Sequence, residues 1–217
     1  MRYLMIAALA ATTAIATPAF AQDAPFSGPR IGVIAGYEST GAGSSEDSDI
    51  QDDDQTIGGF TYGADIGYDL NLGKAVIGAE AEISDSTAKV DYNNPDANYF
   101  GYGRVKTGRD LYVGLRAGVL ADPRTLVYVK GGYTNARLDV LASDGTTEVG
   151  RNFKLDGYRV GAGVERQLNN NVYAKIEYRY SNYSNANLDY DNGGGTIGNF
   201  GVDTDRHQVV AGIGFRF

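Results

Sequence analysis

The sequence predicts an all-β fold, specifically an eight-stranded antiparallel up-and-down transmembrane β-barrel, and three observations carry that expectation. Stretches of about ten residues alternate apolar and polar side chains at period two, as a strand with one face in lipid requires. The connections between these stretches alternate long and short, which matches long outer loops and short inner turns. Finally, the sequence closes on an apolar, aromatic stretch from Val209 to Phe217. Left as a free sheet edge it would be an aggregation hazard, so it is expected to pair on both sides inside a closed sheet.

The N-terminus carries an export address. Met1-Arg2 places a positive charge ahead of an apolar stretch from Tyr3 to about Ile15, and Ala19-Phe20-Ala21 supplies a small-x-small pattern. Residues 1–21 therefore read as a signal peptide cleaved after Ala21, and residues 22–217 as one barrel domain. The apolar run is shorter than the roughly 20 residues of a spanning helix. No later segment reaches that length either, so a bilayer would have to be crossed by strands.

In chain order, the first strand runs from Pro29 to Glu38, with Ile31, Val33, Ala35 and Tyr37 on one face. The segment 39–56 follows, with Glu46, Asp47, Asp49, Asp52, Asp53 and Asp54 and no basic residue, and reads as a solvated loop. The second strand sets Phe60, Tyr62, Ala64, Ile66, Tyr68 and Leu70 against Asp65 and Asp69, and turns at Asn71-Leu72-Gly73. The third sets Ala75, Ile77, Ala79, Ala81 and Ile83 against Glu80 and Glu82, with a long polar loop expected over 86–103. The fourth sets Leu111, Val113, Leu115, Ala117 and Val119 against Lys106, Asp110 and Arg116, and turns at Ala121-Asp122-Pro123-Arg124.

The fifth strand, from about Leu126 to Val140, turns Val127, Val129 and Tyr133 outward and Tyr128, Lys130 and Thr134 inward, with a loop over 142–152. The sixth has Tyr158, Val160, Ala162 and Val164 against Arg159 and Glu165, and turns at Asn169-Asn170-Asn171. The seventh has Val172, Ala174, Ile176, Tyr178 and Tyr180 against Tyr173, Lys175, Glu177 and Arg179, with a loop over 184–203. The eighth is the closing stretch, with Val209, Ala211, Ile213, Phe215 and Phe217 outward and Arg216 inward.

The polar faces decide which side of the barrel is wet. They carry Lys106, Arg116, Lys130, Arg159, Lys175, Arg179 and Arg216 against Asp65, Asp69, Glu80, Glu82, Asp110, Glu165 and Glu177. A soluble barrel that holds an apolar ligand cannot be lined by so many ions. An eight-strand interior has room only for side chains, so these charges must pair. The expected result is a salt-bridge lumen that blocks free diffusion, with a small gated pore as the alternative.

Thirty glycines and 16 tyrosines suit a tightly curved barrel with an interfacial belt. The sequence has no cysteine, which excludes disulfides and thiolate chemistry. Removal of Arg2 with the leader takes the formal net charge from −8 to −9, the wrong sign for a nucleic-acid binder.

Outward-parity cations fall just above the apolar band at Arg109, Arg137, Lys154 and His207. Placed there, they read either as a rim that clasps lipopolysaccharide phosphates or as solvated rim residues. Gly193-Gly194-Gly195-Thr196-Ile197-Gly198 has the letters of a dinucleotide fingerprint but no strand-turn-helix context. The Asp-rich segment lacks the spaced ligands of a calcium loop. His207 is the single histidine, and Val209, rather than serine, stands two residues beyond it. A lipid A-modifying enzyme would need a nucleophile there, so no catalytic residue, cofactor site or metal site is assigned.

Gly161-Ala162-Gly163-Val164-Glu165, Tyr173-Ala174-Lys175-Ile176-Glu177-Tyr178-Arg179-Tyr180 and the terminal Gly-Ile-Gly-Phe-Arg-Phe resemble the small outer-membrane β-barrels of opacity-type surface antigens and porin-family proteins of Gram-negative, especially alphaproteobacterial, cells. The resemblance implies an eight-stranded barrel integral to the outer membrane, with a structural or surface-antigen role or limited permeability. It also implies that Val209, Ala211, Ile213, Phe215 and Phe217 form the signal read by the barrel-assembly machinery. Outer-membrane lipids, lipopolysaccharide and surface ligands of the loops are the partners to expect.

Overall fold

The computed structural model describes residues 25–42, 56–93, 102–143, 148–189 and 197–217. Residues 1–21, expected to be a signal peptide, the acidic stretch from Glu46 to Asp54 and the triple glycine from Gly193 lie outside the described residues. Among the described residues every regular element is a strand: β1 (Gly28–Ala42), β2 (Thr56–Asn71), β3 (Ala75–Ser86), β4 (Lys89–Asn93), β5 (Tyr102–Asp122), β6 (Thr125–Ser143), β7 (Glu148–Gln167), β8 (Val172–Asp189) and β9 (Ile197–Arg216).

All pairings are antiparallel, and the sheet closes on itself. β9 pairs with β8 and also with β1, where Ala35 faces Ala211 and Ile31 faces Phe215. On the other side β3 pairs with β5, with Ile77 opposite Ala117. β4 continues β3 along the same wall and pairs with β5, so the wall has eight positions and the fold is a closed eight-strand barrel. The chain breaks step at Thr87, whose N–H donates to Phe60 O at 2.8 Å and whose Oγ1 accepts from Phe60 N–H at 2.9 Å.

The strands are longer than alternation alone marks out. Within 86–103, β4 pairs with the start of β5, from Lys89 opposite Lys106 to Asn93 opposite Tyr102. Strand likewise reaches into 142–152 and 184–203, since β6 ends at Ser143, β7 begins at Glu148, β8 ends at Asp189 and β9 begins at Ile197. The reason is physical. Period-two patterning records where one face meets lipid, whereas above the bilayer water bathes both faces and the backbone ladder continues without it.

The short turns are built as their residues require. Gly73 has φ +94° and donates its N–H to Asn71 Oδ1 at 2.7 Å. Arg124 N–H donates to Asp122 Oδ1 at 2.8 Å, and that bond holds the exposed Asp122 carboxyl below its ordinary pKa. Asn169 Oδ1 accepts from both Asn171 N–H and Val172 N–H, at 2.9 and 2.8 Å.

The barrel is inverted relative to a soluble protein. Val33, Val113, Leu115, Ile176 and Ile213 each expose more than half their surface, while arginines and carboxylates are buried. On β6, Val127, Val129 and Tyr133 point outward and Tyr128, Lys130 and Thr134 are buried.

Candidate functional site: an ion-filled lumen and a basic outer rim

Because every strand alternates, each wall position sends a column of side chains into the lumen. Sixteen charged residues are buried among the described residues, eight cations and eight anions. Asp65, Asp69, Glu80, Glu82, Asp110, Arg116, Lys130, Arg159, Glu165, Lys175, Glu177, Arg179 and Arg216 are among them, together with Arg30, Glu38 and Arg206.

At the turn end, Arg116 donates to Asp69 at 2.6 and 2.8 Å and to Glu165 at 2.7 Å. Arg216 reaches the same two carboxylates at 2.7 and 2.8 Å. Arg30 then carries the chain of charges upward, contacting Asp69 at 3.2 Å, Asp65 at 2.8 Å and Glu80. In the middle, Lys130 bonds Glu80 at 2.6 Å and Glu177 at 3.3 Å, and Lys175 lies 3.1 Å from Asp65. Arg179 bridges Glu82, at 2.7 Å, and Glu177.

Arg159 passes the network on, from Glu82 at 3.4 Å to Asp110. Asp110 also accepts from Thr134 at 2.6 Å, Tyr183 at 3.0 Å and Arg206 at 2.7 Å. Arg206 ends the network on Glu38, which further accepts from Gln208 and Ser86. All sixteen ions thus form one connected web from Arg216 to Glu38. Buried charges cost several kcal/mol each unless paired; here every one has an opposite partner.

Aromatic rings fill the space between the ions. Tyr128 donates to Glu177 at 2.5 Å with Arg116 stacked 4.9 Å from its ring centre, and Lys130 and Arg159 lie over Tyr112 at 4.9 and 5.2 Å. Tyr173 lies flat on the neighbouring wall, its hydroxyl 2.7 Å and 2.4 Å from where Cβ atoms on Gly32 and Gly214 would stand. The glycines are the slots that admit the ring.

The set of interior charges read from the sequence omits Arg30, Glu38 and Arg206, and the polar Gln208 with them, although parity puts Glu38 on the inner face of the first strand. The signal was present, since Arg30 and Glu38 share the parity of Ile34, and Arg206 and Gln208 that of Val210. Lys106, also expected in the interior, pairs in the ladder with Lys89 and Asp139, beyond a register shift between Thr107 and Asp110. Its side chain is outside those described.

On the outer wall, Arg109, Arg137, Lys154 and His207 are all exposed. Arg137 faces Lys154 across β6 and β7, and Arg109 sits in the β5 irregularity opposite Arg137, so three cations line up on adjacent strands. His207 does not join them. It lies on β9 opposite Tyr180 and Ser39, its Nδ1 is 2.7 Å from Tyr178 OH, and its ring is 5.2 Å from that of Tyr180. Nearby, Asp205 accepts from Tyr180 OH and from Asn182 Nδ2, and Asp156 accepts from Tyr133 OH and Asn135 Nδ2. No group of metal-ligating side chains occurs among the described residues.

A closed eight-strand barrel with an apolar outer wall and an ion-filled interior defines an integral outer-membrane β-barrel protein. The chain belongs to the family described as outer membrane protein beta-barrel domain, which its residues 7–217 match. It is similar to the 22 kDa outer membrane protein of Rhizobium leguminosarum bv. viciae, 32% identical over 200 residues that cover 91% of this chain and 83% of the relative. It is also similar to the 25 kDa outer-membrane immunogenic protein of Brucella canis, 28% identical over 204 residues, 92% of this chain and 84% of that one. Among solved structures, Neisserial surface protein A shares the fold with a TM-score of 0.52 at 14% identity, over 88% of this chain and 98% of that chain. The protein is located in the outer membrane.

Proposed function

We propose that this protein is a structural, surface-antigen component of the cell envelope, a barrel sealed by its own ion network and without catalytic activity. The observation that carries this reading is the continuity of the sixteen buried ions from Arg216 to Glu38, each of which, among the described residues, is paired with an opposite charge. The relatives named outer-membrane immunogenic proteins support a surface role. Against an enzyme stands His207, which is engaged with Tyr178 and Tyr180. The experiment is planar-bilayer recording of the refolded protein. Silence is the expected result, and stable conductance steps would move the function to a small porin.

Within this reading, residues 1–21 serve export and are removed, the alternating Val209, Ala211, Ile213, Phe215 and Phe217 present the assembly signal, and the outer loops offer surface ligands their contacts. The lipid partner at the rim is lipopolysaccharide, whose phosphates suit the aligned Arg109, Arg137 and Lys154 through charge-assisted hydrogen bonds. His207, apart from that row, is left out of the clasp.

A further inference from the structure

The residues just before β1 do more than lead into it. Phe26 is completely buried, although it precedes the barrel wall, and it packs against Val76 of β3, Leu126 and Tyr128 of β6, and Leu120 of β5. The Arg216 guanidinium lies 5.7 Å from the centre of its ring. Its backbone adopts φ +60°, a left-handed conformation that a bulky side chain occupies only where its surroundings hold it there. Asn71 Nδ2 donates to Pro25 O and ties the same segment to the turn after β2. Gly28 makes the entry possible, because it has φ +94° and a Cβ there would stand 2.3 Å from Phe217 O.

The strand order gives this contact its meaning. In the closed wall β6 is the position diametrically opposite β1, reached through β2, β3 and β5. Phe26 therefore joins the first strand to the far side of the barrel, across the lumen. That pocket and its guest meet only when the sheet has curled fully, with β1 against β9. Swinging β1 away from β9 must draw Phe26 out from between Val76, Leu126 and Tyr128, and expose an aromatic ring and its apolar pocket to water.

We infer that Phe26 is a closure latch, a side chain that locks the seam between β1 and β9 from inside the turn-side mouth of the barrel. The inference concerns barrel closure and does not depend on whether the lumen conducts. The seam is the pairing that joins β1 to β9, and beside its ladder bonds the Arg206–Glu38 ion pair and the Gln208–Glu38 hydrogen bond cross it at the end away from the turns, which leaves the turn end to be tied by other contacts. Phe26 supplies that tie for β1, and Arg216, stacked on the same ring, brings the end of β9 into it.

The test is amide hydrogen exchange on protein purified from the outer membrane into detergent, comparing wild type, Phe26→Ala and Phe26→Leu. The latch predicts that Phe26→Ala speeds exchange about tenfold or more in Ile31–Tyr37 and Val209–Phe215, while amides from Tyr158 to Val164 on β7 stay within about twofold. Phe26→Leu, which keeps an apolar plug, should fall between the two, and it provides the same seam-against-β7 comparison if the alanine variant does not accumulate. Equal acceleration at the seam and on β7, or no acceleration at either, would overturn the latch.

Discussion

Arg116 and Arg216 grip the same two carboxylates from opposite walls of the barrel. Arg116 on β5 and Arg216 on β9 each contact both Asp69 on β2 and Glu165 on β7, with separations from 2.6 to 2.8 Å. The four residues stand on alternate wall positions, a quarter turn apart, and close into a ring of alternating sign. This ring fixes the cross-section at the turn end, and it makes the energetic role of each ion testable.

Replacing Glu165 with Gln leaves Arg116 and Arg216 short of one carboxylate in a dry site. Breaking such a pair by removing one partner costs about 3–5 kcal/mol, to be read from urea unfolding of the barrel in lipid vesicles. The double substitution Arg116→Met with Glu165→Met removes a cation with its anion. Its cost should be smaller than the sum of the two single substitutions by about 1–3 kcal/mol; strict additivity would argue against the ring.

Gly214→Ala places a methyl 2.4 Å from both Ile31 O and Tyr173 OH, so the tyrosine must leave its slot. A destabilisation of about 1–3 kcal/mol is expected from overpacking. Gly131→Ala is the control, since its nearest neighbours would be 3.8 Å away, and it should change stability by no more than about 0.5 kcal/mol.

Deletion of Phe217 shortens the outward aromatic row and removes the N–H that donates to Pro29 O at 3.0 Å across the seam. Lower levels of folded, heat-modifiable protein in the outer membrane are expected. Normal levels would remove the terminal residue from the assembly signal.

The triple substitution of Arg109, Arg137 and Lys154 by Gln should reduce lipopolysaccharide co-purification and heat stability together, whereas His207→Gln should leave co-purification unchanged. Unchanged lipopolysaccharide content in the triple variant would end the clasp, and a loss in the His207 variant would return that residue to it.

The wall was legible because lipid imposes a strict rule. Where one face must be apolar and the other packs ions, residues such as Phe60 to Leu70 display period two, as does Val209 to Phe217 apart from the inward Val210, and parity sorts Asp65, Glu165 or Arg216 into the interior. The rule weakens where lipid ends. β4 lay inside a stretch that reads as loop, because Lys89 to Asn93 need satisfy only the ladder, and Arg206 lay just before the apolar run that announced its strand.

By itself, then, the sequence determined the barrel class, the number of wall positions and the face on which most charged residues lie, since each follows from local alternation and turn chemistry. Only the tertiary structure decided the rest. Which carboxylate meets which guanidinium depends on register and on the angle between wall positions, neither of which a one-dimensional pattern contains. The register shift between Thr107 and Asp110 shows only in the ladder, and curvature brought Phe26 across the lumen to Leu126 and Tyr128, a hundred residues further along the chain. Closure is a property of the whole sheet, so the contacts that secure it appear only once the sheet is closed.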